Sequence, residues 1–291
     1  MSIPDEVLKK VKLLEISTRK LVNNTFAGEY HTAFKGQGMT FADFREYVPG
    51  DDVRTISWAL TARAGKPYIK KFDEEREMSV ILAVDVSGSS DFGSKDLFKG
   101  EVLTHLAALI AFSAVKNKDQ VGLLLFSDQV EHYVPPGKGR GHIHRLLRDL
   151  LYHKPKSRLT KMSTAFQYLQ SVQKKRALIF VLSDFADDSF EASLRLLGKK
   201  HEVLALHITD PLEKAWPQLG LIEVQDAETG ELALLDTDSW EFRKAYQAEM
   251  KKQNELREKW LRASGVAKIS ISTVGDYVAP LIQYFKSRRT R

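Results

Sequence analysis

Residues 79–85 read SVILAVD, an almost wholly apolar run with charge before it and Gly and Ser after it. A strand without polar alternation predicts burial on both faces, as in a parallel sheet. From that point onward, apolar runs alternate with amphipathic stretches. Buried strands are expected at 120–126, 177–183, 203–208 and 268–272, with another at 130–134 after a tight Ser127-Asp128 turn. Helices are expected at 95–116, 141–152, 161–172, 190–198, 239–264 and 277–285. Such alternation predicts an α/β fold, a mostly parallel sheet with helices on both faces.

The pattern is different before residue 78. Residues 4–23 space their apolar positions as an amphipathic helix with Pro4 at its start. Residues 27–38 are polar and hold Gly28, Gly36 and Gly38, which predicts a loop. Extended pieces at 44–47, 53–58 and 68–72 have no helix-length segment between them, so they predict a small antiparallel β subdomain. Far downstream, 221–224 and 232–235 flank Asp226-Ala227-Glu228-Thr229-Gly230, a hairpin signal. This hairpin is expected to leave the main sheet and join the strands of 41–72. The expected organisation is therefore 1–77 as N-terminal helix and β subdomain, joined by hairpin 211–237, with 78–210 and 238–291 forming the α/β domain. The long helix at 239–264 is expected to be capped by Asp238 or Ser239 and to pack through Trp240 and Trp260.

Composition narrows the classes. A chain of 291 residues suffices for one large α/β domain or two modest ones, and 43% hydrophobic with 28% charged content fits a globular protein. Cysteine is absent, which excludes disulfides, thiolate metal sites and a cysteine nucleophile, and points to a reducing, cytoplasmic setting. The stretch MSIPDEVLKKVKLL carries acids and no apolar core, unlike a signal peptide, and no run reaches the roughly 18 apolar residues of a membrane span. A net charge of +6 without aromatic-basic interleaving reads as a solvated basic surface before it reads as a nucleic-acid site.

Chemistry concentrates where the first buried strand ends. Asp85-Val86-Ser87-Gly88-Ser89 puts an acid and two hydroxyls at alternate positions just past its C-terminal end, where open α/β sheets bind ligands. All three groups offer oxygen, which suits a hard divalent cation. This D-x-S-x-S triplet resembles the metal-ion-dependent adhesion site of von Willebrand factor A domains. The resemblance implies a Thr from a second loop, Thr160, and an Asp at the end of a later strand, Asp184. It also implies that Ser87, Ser89 and Thr160 contact Mg2+ directly, with Mn2+ or Ca2+ as alternatives. Asp85 and Asp184 would act partly through waters, leaving an open position for a partner's carboxylate.

The runs Phe34-Lys35-Gly36-Gln37-Gly38-Met39, Phe44-Arg45-Glu46-Tyr47-Val48-Pro49-Gly50-Asp51-Asp52-Val53-Arg54, Pro135-Pro136-Gly137-Lys138-Gly139 and Ser183-Asp184-Phe185 narrow the resemblance. Together they resemble the bacterial domain-of-unknown-function family fifty-eight, A-domain companions of MoxR-type AAA+ ATPases, over almost the whole chain. That implies a non-enzymatic scaffold or adaptor working with such an ATPase on the assembly or maturation of a client protein. Departures stand at Ser157-Arg158-Leu159, where A domains usually place Gly before the Thr, and at Ser57, where the family usually has Asp before Trp58. At Lys161 the companion family is commonly acidic; a cation pointing inward there would make metal binding weak.

Other clusters carry less. Arg45, Asp51, Asp52 and Arg54, with Glu46 and Arg63, form a dense charge set that reads as an ion-pair network or a partner-binding surface. His142 and His144 stand at i,i+2 on a helix and do not face one another, so they are a poor metal pair. The alternative functions are a Mg-dependent phosphohydrolase using Asp85 as nucleophile and a basic nucleic-acid binder. A haloacid-type phosphatase needs a second acid at the position of Ser87, and no G-x-S-x-G elbow is present.

Overall fold

The computed structural model describes residues 5–22, 26–34, 40–73, 77–93, 97–213 and 217–289. Pro4, the Lys35-Gly36-Gln37-Gly38-Met39 stretch, the expected helix start at Lys95 and the last two residues lie outside them. The chain divides into two compact units, Phe34–Met78 and a larger one made of Met1–Ala33 with Ser79–Arg291.

The larger unit begins with α1 (Asp5–Leu21) and α2 (Ala27–Ala33). The second replaces an expected loop. Phe26 and Tyr30, one helical turn apart, are fully buried against Phe285, with ring centroids 5.2 and 6.1 Å away. Seven residues holding a glycine give too short a period to read, and tertiary packing decides the conformation. Both helices belong to the larger unit, not to the β subdomain as expected. Val11 and Leu14 of α1 are buried, and Glu15 bonds Arg140 and His144.

The smaller unit holds β1 (Thr40–Glu46), α3 (Trp58–Ala64) and β2 (Tyr68–Asp73). The two strands pair antiparallel, Glu46 opposite Tyr68. The strand expected at 53–58 is instead a 3-10 turn at Val53–Thr55, an isolated bridge from Ile56 to Ile69, and the start of α3. Asp52 makes the turn by accepting from the Arg54 amide at 2.9 Å. The sequence WALTARA then favours a helix, which ends at Gly65 with φ of 69°.

The main sheet of the larger unit follows. Its elements are β3 (Ser79–Asp85), α4 (Lys99–Lys116), β4 (Gln120–Phe126), β5 (Val130–Gly137), α5 (Arg140–Tyr152), α6 (Met162–Val172), β6 (Leu178–Ser183), α7 (Glu191–Lys200) and β7 (Glu202–Thr209). After the excursion of β8 (Leu221–Gln225) and β9 (Leu232–Asp236), the chain closes with α8 (Trp240–Ser264), β10 (Ala267–Ser272) and α9 (Ala279–Arg289). The strand order is β10-β7-β6-β3-β4-β5, parallel throughout except for the antiparallel edge strand β5. The chain winds to one edge through β4 and β5, then to the other through β6, β7 and β10. The order reverses between β3 and β6, so the crevice outside their carboxyl ends is the topological switch point.

Burial on both faces explains the unbroken apolar runs. Ile81, Ala83, Leu124 and Val181 pack with Phe166, Leu169 and Leu194 in one cluster, all essentially inaccessible. In α8, Ser239 supplies the cap, accepting from the Phe242 amide. Trp260 packs edge-on against Phe190, whereas Trp240 is exposed with the Lys244 ammonium 4.6 Å over its ring. Only one of the two expected tryptophans is therefore an anchor. The β8–β9 pair also departs from expectation. Among the described residues its strands pair only with each other, Leu221 opposite Asp236, and they belong to the larger unit, not to a sheet shared with β1 and β2. Among the described residues, no helix is long and apolar enough to cross a membrane.

Candidate metal centre at the switch point

Strand β3 delivers Asp85 to the switch point almost fully buried, at 3% exposure. Its Oδ1 accepts from the Ser87 amide at 3.0 Å and its Oδ2 from the Ser183 hydroxyl at 2.6 Å. Ser87, buried, and Ser89 follow, with hydroxyl oxygens 3.2 Å apart. A 3-10 turn at Gly88–Asp91 holds that spacing, reinforced by Ser90 Oγ donating to the Ser87 carbonyl at 2.8 Å. Asp184 stands one residue past β6. Its Oδ1 accepts from the Ala186 amide at 3.2 Å, and the Ser89 hydroxyl also bonds this carboxylate. Asp85, Ser87, Ser89 and Asp184 therefore come together at the end of β3 and β6.

The backbone is strained beside this point. Phe185 has φ of 54°, a left-handed conformation that costs a non-glycine residue about 1 kcal/mol. Its amide donates to Ser183 Oγ at 3.0 Å, its carbonyl accepts from Arg257 Nε at 2.8 Å, and its ring packs on Phe190 and His207. These contacts hold the bend that follows Asp184.

The two acids experience opposite surroundings. Burial, then the neighbouring Asp184 charge, pushes the Asp85 carboxyl up to about 6, against the Ser183 and Ser87 hydrogen bonds. Burial also pushes Asp184 upward, but the Lys99 ammonium outweighs it and leaves this carboxyl below its ordinary value. Lys99, 2% exposed, is the site residue that sequence reasoning missed. Its Nζ lies 2.9 Å from Asp184 Oδ2 and also pairs with Glu213. A signal was present: Lys99, Val102 and Leu106 share one face of α4 at helical spacing, so a lysine sits in the buried phase. Lys161, which would weaken a cation site only by pointing inward, is exposed at the N-cap of α6.

Thr160 is placed beside this group through backbone contact between loops, the Gly88 amide donating to the Arg158 carbonyl at 2.8 Å. Its hydroxyl donates to Glu228 Oε1 at 2.6 Å, and Glu228 belongs to the β8–β9 turn. None of the described hydrogen bonds joins Thr160 directly to the four residues above.

The donor set fits a hard divalent cation. Adjacent oxygens on a Mg2+ octahedron with 2.0–2.1 Å bonds are about 2.9 Å apart. The Ser87 and Ser89 hydroxyl oxygens, 3.2 Å apart, are near that separation. Among the described residues, no group of three or more His, Cys, Asp or Glu gathers as a metal site, so any cation here depends on hydroxyl oxygens. Lys99 already offsets part of the Asp184 charge, which reduces what the site offers a second cation.

The remaining candidates are engaged locally. Arg45 forms a two-pronged pair with Asp51, Nη1 to Oδ2 at 2.9 Å and Nη2 to Oδ1 at 2.7 Å, and holds that carboxyl below its usual range. Asp52 caps the 3-10 turn, and Arg54 is exposed. His142, His144 and His132 have separate partners in the Val121 carbonyl, Glu15 and Asp149.

A family model described as "Protein of unknown function DUF58" matches residues 43–256. Uncharacterized protein Rv1480 of Mycobacterium tuberculosis is 28% identical over 282 residues, covering 96% of this chain and 89% of that protein. Uncharacterized protein Mb1516 of Mycobacterium bovis matches to the same extent. Among solved structures, an aerotolerance-related membrane protein from Bacteroides fragilis is similar with a TM-score of 0.47 and 15% identity, over 73% of this chain and 98% of that one. BatB from Bacteroides thetaiotaomicron gives 0.43 and 13%, over 74% and 100%. The SpRpn10 VWA domain gives 0.40 and 14%, over 72% and 95%.

Proposed function

The chain belongs to the DUF58 family of proteins of unknown function, and on that premise we propose that it is a metal-dependent interaction module and not an enzyme. The observation that carries this reading is the convergence of Asp85, Ser87, Ser89 and Asp184 at the switch-point crevice. The Ser87, Ser89 and Thr160 hydroxyls would hold Mg2+, or Mn2+ or Ca2+ in its place, with Asp85 and Asp184 balancing its charge. Ser183 and the Ser87 amide orient Asp85 for this role. A bound cation would supply an electrophilic position open to a carboxylate from a partner protein. The partner we propose is a MoxR-type AAA+ ATPase, with this chain as adaptor in the assembly or maturation of a client, in the cytoplasm. Against the phosphohydrolase alternative, both Asp85 oxygens are already engaged by neutral donors, and position 87 offers a hydroxyl in place of a second acid.

The test uses the purified chain immobilised against the purified MoxR-type ATPase of the same organism. Chelation would also disable the ATPase, so Asp85→Ala is the informative control. Binding should weaken about tenfold or more in the variant, as expected when a residue that supports a metal is lost. Equal binding by both forms would contradict the metal-dependent reading.

A further inference from the structure

The β8–β9 hairpin carries apolar residues on both of its faces. Its register sets Leu221 opposite Asp236, Glu223 opposite Leu234 and Gln225 opposite Leu232. Alternation places these six side chains on one face and Ile222, Val224 and Leu235 on the other. The second face is half-buried, which accounts for its apolar residues. The first face is open to water, with Leu221, Leu232 and Leu234 exposed to 65%, 65% and 66%. A pair of strands covered on one side ordinarily turns polar residues outward on the other. Single exposed leucines need no explanation, but neighbouring ones on one short face do.

The hairpin is held so that this face stays displayed. Asp226 Oδ1 closes the turn by accepting from the Glu228 amide at 2.9 Å and the Thr229 amide at 2.7 Å. The tip is docked, its Ala227 carbonyl accepting from Arg158 Nε at 2.7 Å above Gly88, where a Cβ would stand 2.1 Å from that oxygen. At the other end the Thr237 amide donates to the Gly220 carbonyl at 2.9 Å, and Thr237 is buried.

Charge decides what such a face accepts. Residues 215–242 hold no Lys, Arg or His, in a chain whose net charge is +6. The hairpin instead carries Glu223, Asp226, Glu228, Glu231, Asp236 and Asp238. Glu223 and Asp236 stand among the outward leucines, so the fitting occupant is both apolar and basic. The chain displays a surface of that kind on α1. Val11, Leu14 and Thr18 face inward and are buried, whereas Lys12, Leu13 and Ile16 are exposed. Leu13 and Ile16, at 65% and 63%, lie one turn apart and make an apolar ridge beside the lysine. The helix DEVLKKVKLLEISTRKL is rich in bases, and its Glu15 is already bonded to Arg140 and His144.

We propose that the outer face of the β8–β9 hairpin docks on the outer face of α1 in a second copy of this chain, leucines against Leu13 and Ile16 and hairpin acids against Lys12. The two surfaces differ, so the contact runs head to tail. Two strands of five residues cover only roughly 17 by 10 Å, well below a stable interface, so the association is weak and salt-sensitive. The inference is independent of any metal at the switch point.

The test is sedimentation velocity of the full chain from about 5 to 500 µM, the range in which so small a contact would show. Wild type, Leu234→Arg and Leu13→Glu are compared at low and high salt, with circular dichroism to check the fold. Both substituted positions are exposed, so the variants retain it. Wild type should grow beyond the monomer as concentration rises and return to it in high salt, and each variant should stay monomeric. Mixing the variants should restore association, because Leu13→Glu keeps an intact hairpin and Leu234→Arg keeps an intact α1. A wild type that is monomeric at the highest concentration would overturn the proposal. So would association lost in Leu234→Arg but kept in Leu13→Glu, which would mean that hairpin pairs with hairpin, or a mixture that stays monomeric.

Discussion

Two regions of this chain are dense in charge, and they hold it differently. In the smaller unit, Arg45 and Asp51 are near neighbours in sequence, water-accessible, and satisfied by each other, while Asp52 caps the 3-10 turn that follows it by accepting from the Arg54 amide. Exposed pairs of this kind fix local geometry and contribute little stability. At the switch point, the charges come from residues 85, 99, 184 and 213, and three of them are buried. Lys99 and Asp184 have lost their water and hold each other's charge, whereas Asp85 is held by the Ser183 hydroxyl and the Ser87 amide. Charge that is distant in sequence and buried together has to be maintained at a cost, and such clusters are where function concentrates. Density of charge in the sequence does not distinguish the regions; burial does.

Lys99→Met sharpens the contrast most. Removing the ammonium leaves Asp184 and Glu213 facing each other without compensation, which should cost about 3–5 kcal/mol. Urea denaturation should show this loss, with saturating Mg2+ recovering more stability in the variant than in wild type. A variant as stable as wild type would mean that the cluster is not coupled.

The next effect is that of pH on the same side of the sheet. His207, on β7 against Phe185, has its imidazole pushed down to about 3 by burial, then by Arg257, Lys268 and Lys99, with Asp184 opposing. A depressed histidine is neutral in the folded chain and takes a proton only on unfolding. Its contribution is therefore present above pH 6.5 and lost as pH falls from 6.5 towards 3, at about 1.4 kcal/mol per unit. Asp85, held up at about 6, works in the opposite direction, so the comparison is between wild type and His207→Gln across that window. The variant should lose less stability on acidification; parallel profiles would show that His207 is protonated in the fold.

Arg45→Ala carries the smallest effect. The pair with Asp51 is solvated, so the unfolding midpoint should stay within error of wild type. A large shift would erase the distinction between the two regions.

Much of this contrast was legible in the sequence. The buried runs fixed the parallel strands, and the triplet at Asp85 with the acid after β6 marked the crevice, because strand ends in an alternating fold have only one edge to share. What escaped depended on contacts between distant segments. The packing of α2 on Phe285 and the approach of Glu228 to Thr160 join residues far apart in the chain, and no period encodes them. The hairpin was visible as a hairpin, but its destination was not, since turn chemistry at Asp226 is the same wherever the tip docks. Lys99 was readable in principle from its phase on α4. Lys161, adjacent to Thr160 in sequence, drew attention because proximity along the chain is easier to see than burial.

Calorimetric titration of Mg2+ into wild type and Asp85→Ala tests the central claim most directly. Asp85 is pinned by Ser87 and Ser183 at the one point where both halves of the sheet meet. Wild type should bind one Mg2+ modestly and Asp85→Ala should bind none while keeping its circular dichroism spectrum. Identical isotherms for the two proteins would show that the crevice is not a metal site.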